Sequence, residues 1–129
     1  LLIKKCKIVI NQRFKNMTIE ELKIQLLQLN PSEKAEAIQT LTSSLSNGSR
    51  LITKTAGVCG GDACISNTRL PVWLFVSLRR QGATDAEILE FYPHLTAADL
   101  VNVWAYAEAF PHEIETALQE QDEAMEQEI

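Results

Sequence analysis

The stretch Gly82-Ala-Thr-Asp-Ala-Glu-Ile-Leu-Glu-Phe-Tyr-Pro-His-Leu-Thr-Ala-Ala-Asp-Leu100 decides the fold. Thr84 followed three residues later by Glu87 has the spacing of a capping box, in which each side chain satisfies a backbone N–H at the start of a helix. It opens a short helix whose apolar stripe is Ile88, Leu89 and Phe91. Pro93 disfavours a helical Tyr92 and ends it. Thr96 and Asp99 repeat the box and open a longer helix with Leu100, Val103, Trp104 and Ala107 turned inward, which Pro111 kinks or ends. Helix Thr84–Phe91, turn Tyr92–Leu95 and helix Thr96–Phe110 form a helix-turn-helix in outline.

Working outward, Pro71 opens a helix over Val72–Gln81 that is apolar nearly all round and stops at Gly82, so it is expected to be the buried central helix. Before it, Leu51–Thr55 leans to strand, Gly57-Val-Cys-Gly-Gly61 is a turn, and Cys64-Ile65 with Asn67–Leu70 forms the return, a small wing-like hairpin. Further back, Thr18 and Glu21 cap a helix with Ile19, Leu22, Leu26 and Leu29 on one stripe. Asn30-Pro31 stops it and starts a second helix, with Glu33 completing the cap and Ile38, Leu41 and Leu45 as the apolar stripe. These helices read as an antiparallel hairpin over 17–45 that must dock, dimerise or bind a partner to cover its stripes. The expected fold is mainly α: a three-helix, winged-helix-like helix-turn-helix core with a small β-hairpin over 51–110, preceded by the amphipathic hairpin. A flexible linker rich in Ser, Asn and Gly, placed at 46–50, joins the two, and an acidic tail helix over 111–129 follows.

Charge divides the chain of 129 residues, net −5, into compartments. Residues 1–16 hold five basic side chains and no acid, residues 50–107 hold five of each sign, and residues 108–129 hold eight acids with no Lys or Arg. The leader breaks composition before the capped helix at Met17. It is expected to lie outside the native protein; the alternative is a basic arm tracking phosphates. No apolar run reaches the ~18 residues of a membrane span, and no cleavage site follows the Lys-interrupted start. Three cysteines, an odd and sparse set, fit a reducing cytoplasm better than a secreted disulfide scaffold.

The start of the second helix offers Thr96, Ala97, Asp99 and Asn102 without Arg or Lys, so it reads DNA poorly alone. Candidate DNA contacts are Arg50, Lys54, Arg69, Arg79 and Arg80 on phosphates, with Thr96 and Asn102. Arg69 could grip a carboxylate or phosphate bidentately, or fix the wing to the helices, the structural role being favoured. Cys59, Cys64, His94 and His112 lack zinc-module spacing, Cys64 reads as a small core residue, and the glycine-rich turn fits no phosphate-loop pattern. Cys64 with His94 is the sole nucleophile–base pairing, with nothing local behind it. The expectation is therefore no enzyme, no cofactor and no metal. The acidic tail, with Glu113, Ile114, Leu118, Glu120 and Met125, is the candidate partner-binding face, suited to a basic partner.

The run Gly61-Asp-Ala-Cys-Ile-Ser-Asn-Thr-Arg-Leu-Pro-Val72, with the Leu-Arg-Arg-Gln-Gly-Ala-Thr-Asp-Ala-Glu-Ile-Leu segment and Tyr92-Pro-His-Leu-Thr96, closely resembles the family called domain of unknown function 433 (DUF433), over about residues 50–110. One departure is Asn67, where the family usually has Gly; Asn tolerates a left-handed backbone better than other side chains. The resemblance implies a small winged-helix-like, tri-helical protein and the antitoxin half of a prokaryotic toxin–antitoxin pair. Such a protein would mask a PIN-like ribonuclease toxin and regulate its own operon by binding operator DNA, as a homodimer. Open alternatives are a helix-turn-helix transcriptional regulator without a toxin, and a structural dimerisation module.

Overall fold

The computed structural model describes residues 17–45 and 50–127. The basic leader, linker residues 46–49 and the last two residues lie outside the described residues. In chain order the elements are α1 (Ile19–Leu27), α2 (Pro31–Leu45), β1 (Ile52–Thr53), a 3-10 turn (Cys59–Gly61), β2 (Cys64–Ile65), α3 (Val72–Arg80), α4 (Asp85–Phe91), α5 (Ala97–Ala109) and α6 (Pro111–Gln127). The expected mainly helical fold with one small antiparallel hairpin is the fold observed. Both capping boxes form as read: Thr84 with Glu87 starts α4, and Thr96 with Asp99 starts α5.

The hairpin pairs Ile52 with Ile65 and Thr53 with Cys64. Asn67–Leu70 does not extend β2. Instead Thr68 N–H donates to Ile65 O (3.1 Å) and Ile65 N–H to Leu70 O (3.0 Å), closing a tight turn with Asn67 at φ 60°. Asn bears this left-handed backbone where most side chains would be strained. Pro71 then bridges back to Cys64 and launches α3.

The core gathers Ile65, Val72, Phe75, Ile88, Leu100 and Val103, all fully enclosed, with Leu95 from the α4–α5 turn and Ile114 from α6. Phe75 meets Tyr92 edge to face, ring centroids 5.6 Å apart. Phe91, read as part of the α4 stripe, is 59% exposed at the last residue of the helix, while Ile88 is fully buried. Phe110 leaves helical backbone geometry (φ −128°, ψ 59°) and Pro111 begins α6, so Pro111 ends α5 and does not kink it.

Two expectations change once the packing is seen. Within the unit that begins at Pro31 the central element is α5, which touches α2, α3, α4, α6 and β1; α3 packs on one side of it. The supposed hairpin over 17–45 also divides, because a compact unit begins at Pro31 and α2 packs along α5 within it, while Met17–Asn30 belongs to a separate unit. α2 turns Ala35, Ile38 and Thr42 toward α5 and leaves Leu41, read as an inward residue, 55% exposed. The Leu45 side chain lies outside the described residues.

Candidate functional site

Where α2 crosses α5, the structure builds a buried polar clasp. Asp99 and Asn102, one helical turn apart, are 1% and 0% exposed. Asp99 Oδ1 accepts the Arg50 backbone N–H at 2.7 Å, while Oδ2 accepts the Thr96 N–H at 2.9 Å and Arg50 Nη1 at 3.3 Å. Asn102 Nδ2 donates to Arg50 O at 3.2 Å, and its Oδ1 accepts from Thr42 Oγ1 at 3.0 Å. Gln39 Oε1 takes the Ile52 N–H at 3.3 Å, and Arg50 Nη1 also reaches His94 O at 3.1 Å. The segment entering β1 thus hydrogen-bonds to both helices through its own backbone. Burial of polar groups at this depth is tolerated because they are partnered.

This clasp corrects the reading of Asn102 as a group on an open DNA-reading face: it has no solvent exposure because α2 covers that side of α5. Thr96 stays exposed, and its hydroxyl oxygen accepts the Asp99 N–H as the N-cap. Asp99, read with them as part of the helix-start surface, is inside. The signal was present in the sequence as an Asp-x-x-Asn pair flanking Leu100 and Val103, but only a second layer of helix makes that flank an interior.

The expected phosphate contacts are mostly engaged within the protein. Arg50 is half-buried and pairs with Asp99; Lys54 pairs with Glu113; Arg80 pairs with Glu115. The last pair raises the Arg80 pKa and lowers that of Glu115 through their hydrogen bond, although both are exposed and solvent screening keeps its worth small. Arg79 stacks 4.0 Å over the Trp104 ring and sits 3.9 Å from Asp85, which also accepts the Trp104 indole N–H. Arg69 is different. Among the described residues it makes neither an ion pair nor a hydrogen bond, so it does not fix the hairpin to the helices through its guanidinium.

The candidate partner face on the tail is also largely used inside. α6 forms over Pro111–Gln127 and docks on α3 by burying Ile114 and Ala117, with Leu118 half-buried beside them. Glu113 accepts the Tyr106 hydroxyl and pairs with Lys54; burial pushes the Tyr106 phenol above its ordinary pKa. Glu120 and Met125 remain exposed. The tail stripe predicted for a partner is thus, at Ile114 and Leu118, the strip that holds the helix to its own domain. By contrast α1 buries none of its residues and exposes Ile19 and Ile24 by 62% and 60%, with Leu22 and Leu27 also open.

Cys64 is a small core residue as read, and Cys59 is a half-buried free thiol. Desolvation, then the neighbouring Cys64 thiol, pushes the Cys59 pKa up to about 11. Among the described residues no cluster of three or more His, Cys, Asp or Glu is placed to hold a metal ion, and no helix is long and apolar enough to cross a membrane. His94 contributes its carbonyl, not its ring, to the clasp.

These elements define a small, mainly helical domain, closed by a two-stranded hairpin and organised around one central helix. The profile of the family described as protein of unknown function (DUF433) matches residues 52–107, from β1 into α5. The crystal structure of a DUF433 member protein from Anabaena variabilis ATCC 29413, at 2.00 Å resolution, is 39% identical over 80% of this chain and 99% of that chain, with a TM-score of 0.53. The chain belongs to the DUF433 family. No curated protein matches it.

Proposed function

We propose that this protein is a protein-binding module, the antitoxin half of a toxin–antitoxin pair, and that α1 is the segment that docks on the toxin. The observation that supports this reading is the state of α1: a capped helix with no buried residue and with Ile19, Leu22, Ile24 and Leu27 exposed. Exposing that much apolar surface on nine residues is costly in water, whereas an amphipathic helix laid in an apolar groove recovers burial worth roughly 1.5–3 kcal/mol per large side chain. The partner proposed from the family resemblance is a PIN-like ribonuclease. Operator binding by the protein alone has less support, because four of its five expected phosphate contacts are internally paired and one face of α5 is covered.

The test is co-expression with the PIN-like protein encoded beside it, if one is present, scoring growth and co-purification. The full chain is expected to relieve growth arrest and to co-purify. Ile19→Asp combined with Ile24→Asp should abolish both, while Met125→Asp should change neither. Relief by the double variant equal to wild type refutes α1 as the docking segment. Absence of any neighbouring ribonuclease, together with a homodimer that Ile19→Asp/Ile24→Asp dissociates in sedimentation, favours the dimerisation reading instead.

A further inference from the structure

Beside the hairpin lies an open cavity of about 580 Å³, reached from the solvent side of β1 and the Ile65–Thr68 turn. Its polar lining consists of Thr53, Thr55, Ser66, Asn67, Thr68 and Arg69, and no Asp or Glu contributes to it. In a chain with 17 acidic residues, a cavity lined by hydroxyls, an amide and a guanidinium and free of carboxylate is a marked local departure. Thr68 is committed to the turn, donating to Ile65 O at 2.6 Å and accepting from Leu70 N–H at 3.2 Å. The side chains of Thr53, Thr55, Ser66, Asn67 and Arg69 make no hydrogen bond or ion pair to any described residue.

The lining selects a ligand by its chemistry. One cation with several neutral donors matches a group carrying limited negative charge and several acceptor oxygens. A carboxylate has two oxygens and would leave donors unmatched; a phosphoryl group has three or four. The cavity volume falls in the ordinary range for small-molecule sites, roughly 300–1,000 Å³. A duplex is the poorer match, because the chain is net negative and Arg50, Lys54, Arg79 and Arg80 already have acidic neighbours. Asp62 and Glu120 line the hollow on the other side of Arg69 without pairing to it, which further favours a small ligand of low charge over a polyanion. We propose that this cavity binds the phosphoryl group of a small phosphorylated molecule, with Arg69 as the charged anchor and Thr53, Thr55, Ser66 and Asn67 as the neutral donors. This site is independent of the α1 reading.

The test is a titration of the isotope-labelled full chain, followed by amide chemical shifts, with inorganic phosphate, adenosine monophosphate, acetate and a short DNA duplex at matched ionic strength. Phosphate and adenosine monophosphate are expected to shift the Ser66, Asn67 and Arg69 amides saturably, and acetate is not. Arg69→Gln should weaken the binding about tenfold or more, as loss of a charge-assisted hydrogen bond implies. Thr55→Val, an exposed change that leaves the turn intact, should weaken it by a smaller factor. The proposal is overturned if neither phosphate probe saturates, if a folded Arg69→Gln binds as well as wild type, if acetate matches phosphate, or if the duplex alone binds in an Arg69-dependent way.

Discussion

Replacing Asp99 with Ala is expected to be among the most destabilising single changes in this protein, and the clasp allows its size to be worked out. The carboxylate is 1% exposed and accepts two backbone N–H groups, from Arg50 at 2.7 Å and from Thr96 at 2.9 Å. Alanine leaves both donors without it, at about 1–3 kcal/mol for each buried unsatisfied group. The third bond, from Arg50 Nη1, adds little: that side chain is 33% exposed, so it can turn to water and keeps His94 O. The expected loss is about 2–6 kcal/mol, a large share of the roughly 5–15 kcal/mol that holds a typical domain together. Arg50→Ala should cost only about 1 kcal/mol, since the Arg50 backbone bonds to Asp99 and Asn102 survive it. Urea unfolding followed by fluorescence of Trp73 and Trp104 measures both, and an unchanged m-value confirms that the midpoint shift reports stability. If Asp99→Ala and Arg50→Ala shift the midpoint equally, or if Asp99→Ala shifts it not at all, the clasp is not held through the backbone as argued.

Two further outcomes follow from the core and the thiol. Phe75→Ala, at a fully buried position beneath Tyr92, should cost about 3–5 kcal/mol, the usual range for a large core aromatic, whereas exposed Phe91→Ala should stay within about 0.5 kcal/mol; thermal unfolding distinguishes them. The Cys59 thiol should alkylate with a midpoint near pH 11, against 9.0 for an ordinary thiol, measured by peptide mapping that separates it from Cys6 and Cys64. Because its folded pKa is raised, the stability linked to its proton is fully present below pH 9.0 and is lost as pH rises through about 11. An alkylation midpoint at or below 9.0 would contradict the desolvated setting.

Much of this architecture is legible in sequence because its determinants are local. A capping box needs residues three apart, and Thr84/Glu87 and Thr96/Asp99 each announced a helix start that the structure keeps. Pro71, Gly82 and Pro111 act on their own backbone and placed three boundaries. The fully buried Ile88, Leu100 and Val103 follow from helical periodicity near those starts. The hairpin followed from strand-prone ends around a glycine-rich turn.

What tertiary structure alone decided is which faces remain available. Periodicity gives α5 one apolar side and leaves Asp99 and Asn102 on its border, where they read equally as surface or interior. The packing of α2 across that border, from sixty residues away in sequence through Thr42 and Asn102, makes it interior and takes Asn102 off the expected reading face. The tail helix shows the same effect: Ile114 and Leu118 form an amphipathic stripe with or without a partner, and only contact with α3 assigns it to the protein's own core. Likewise the five basic residues of 50–107 are visible in sequence, but which of them stays unpaired depends on acids distant along the chain, such as Glu113 for Lys54 and Glu115 for Arg80. Sequence spacing encodes local hydrogen bonding and the side of a helix that is apolar; the occupant of that side, and the charge left over, are set by segments that meet only when the chain folds.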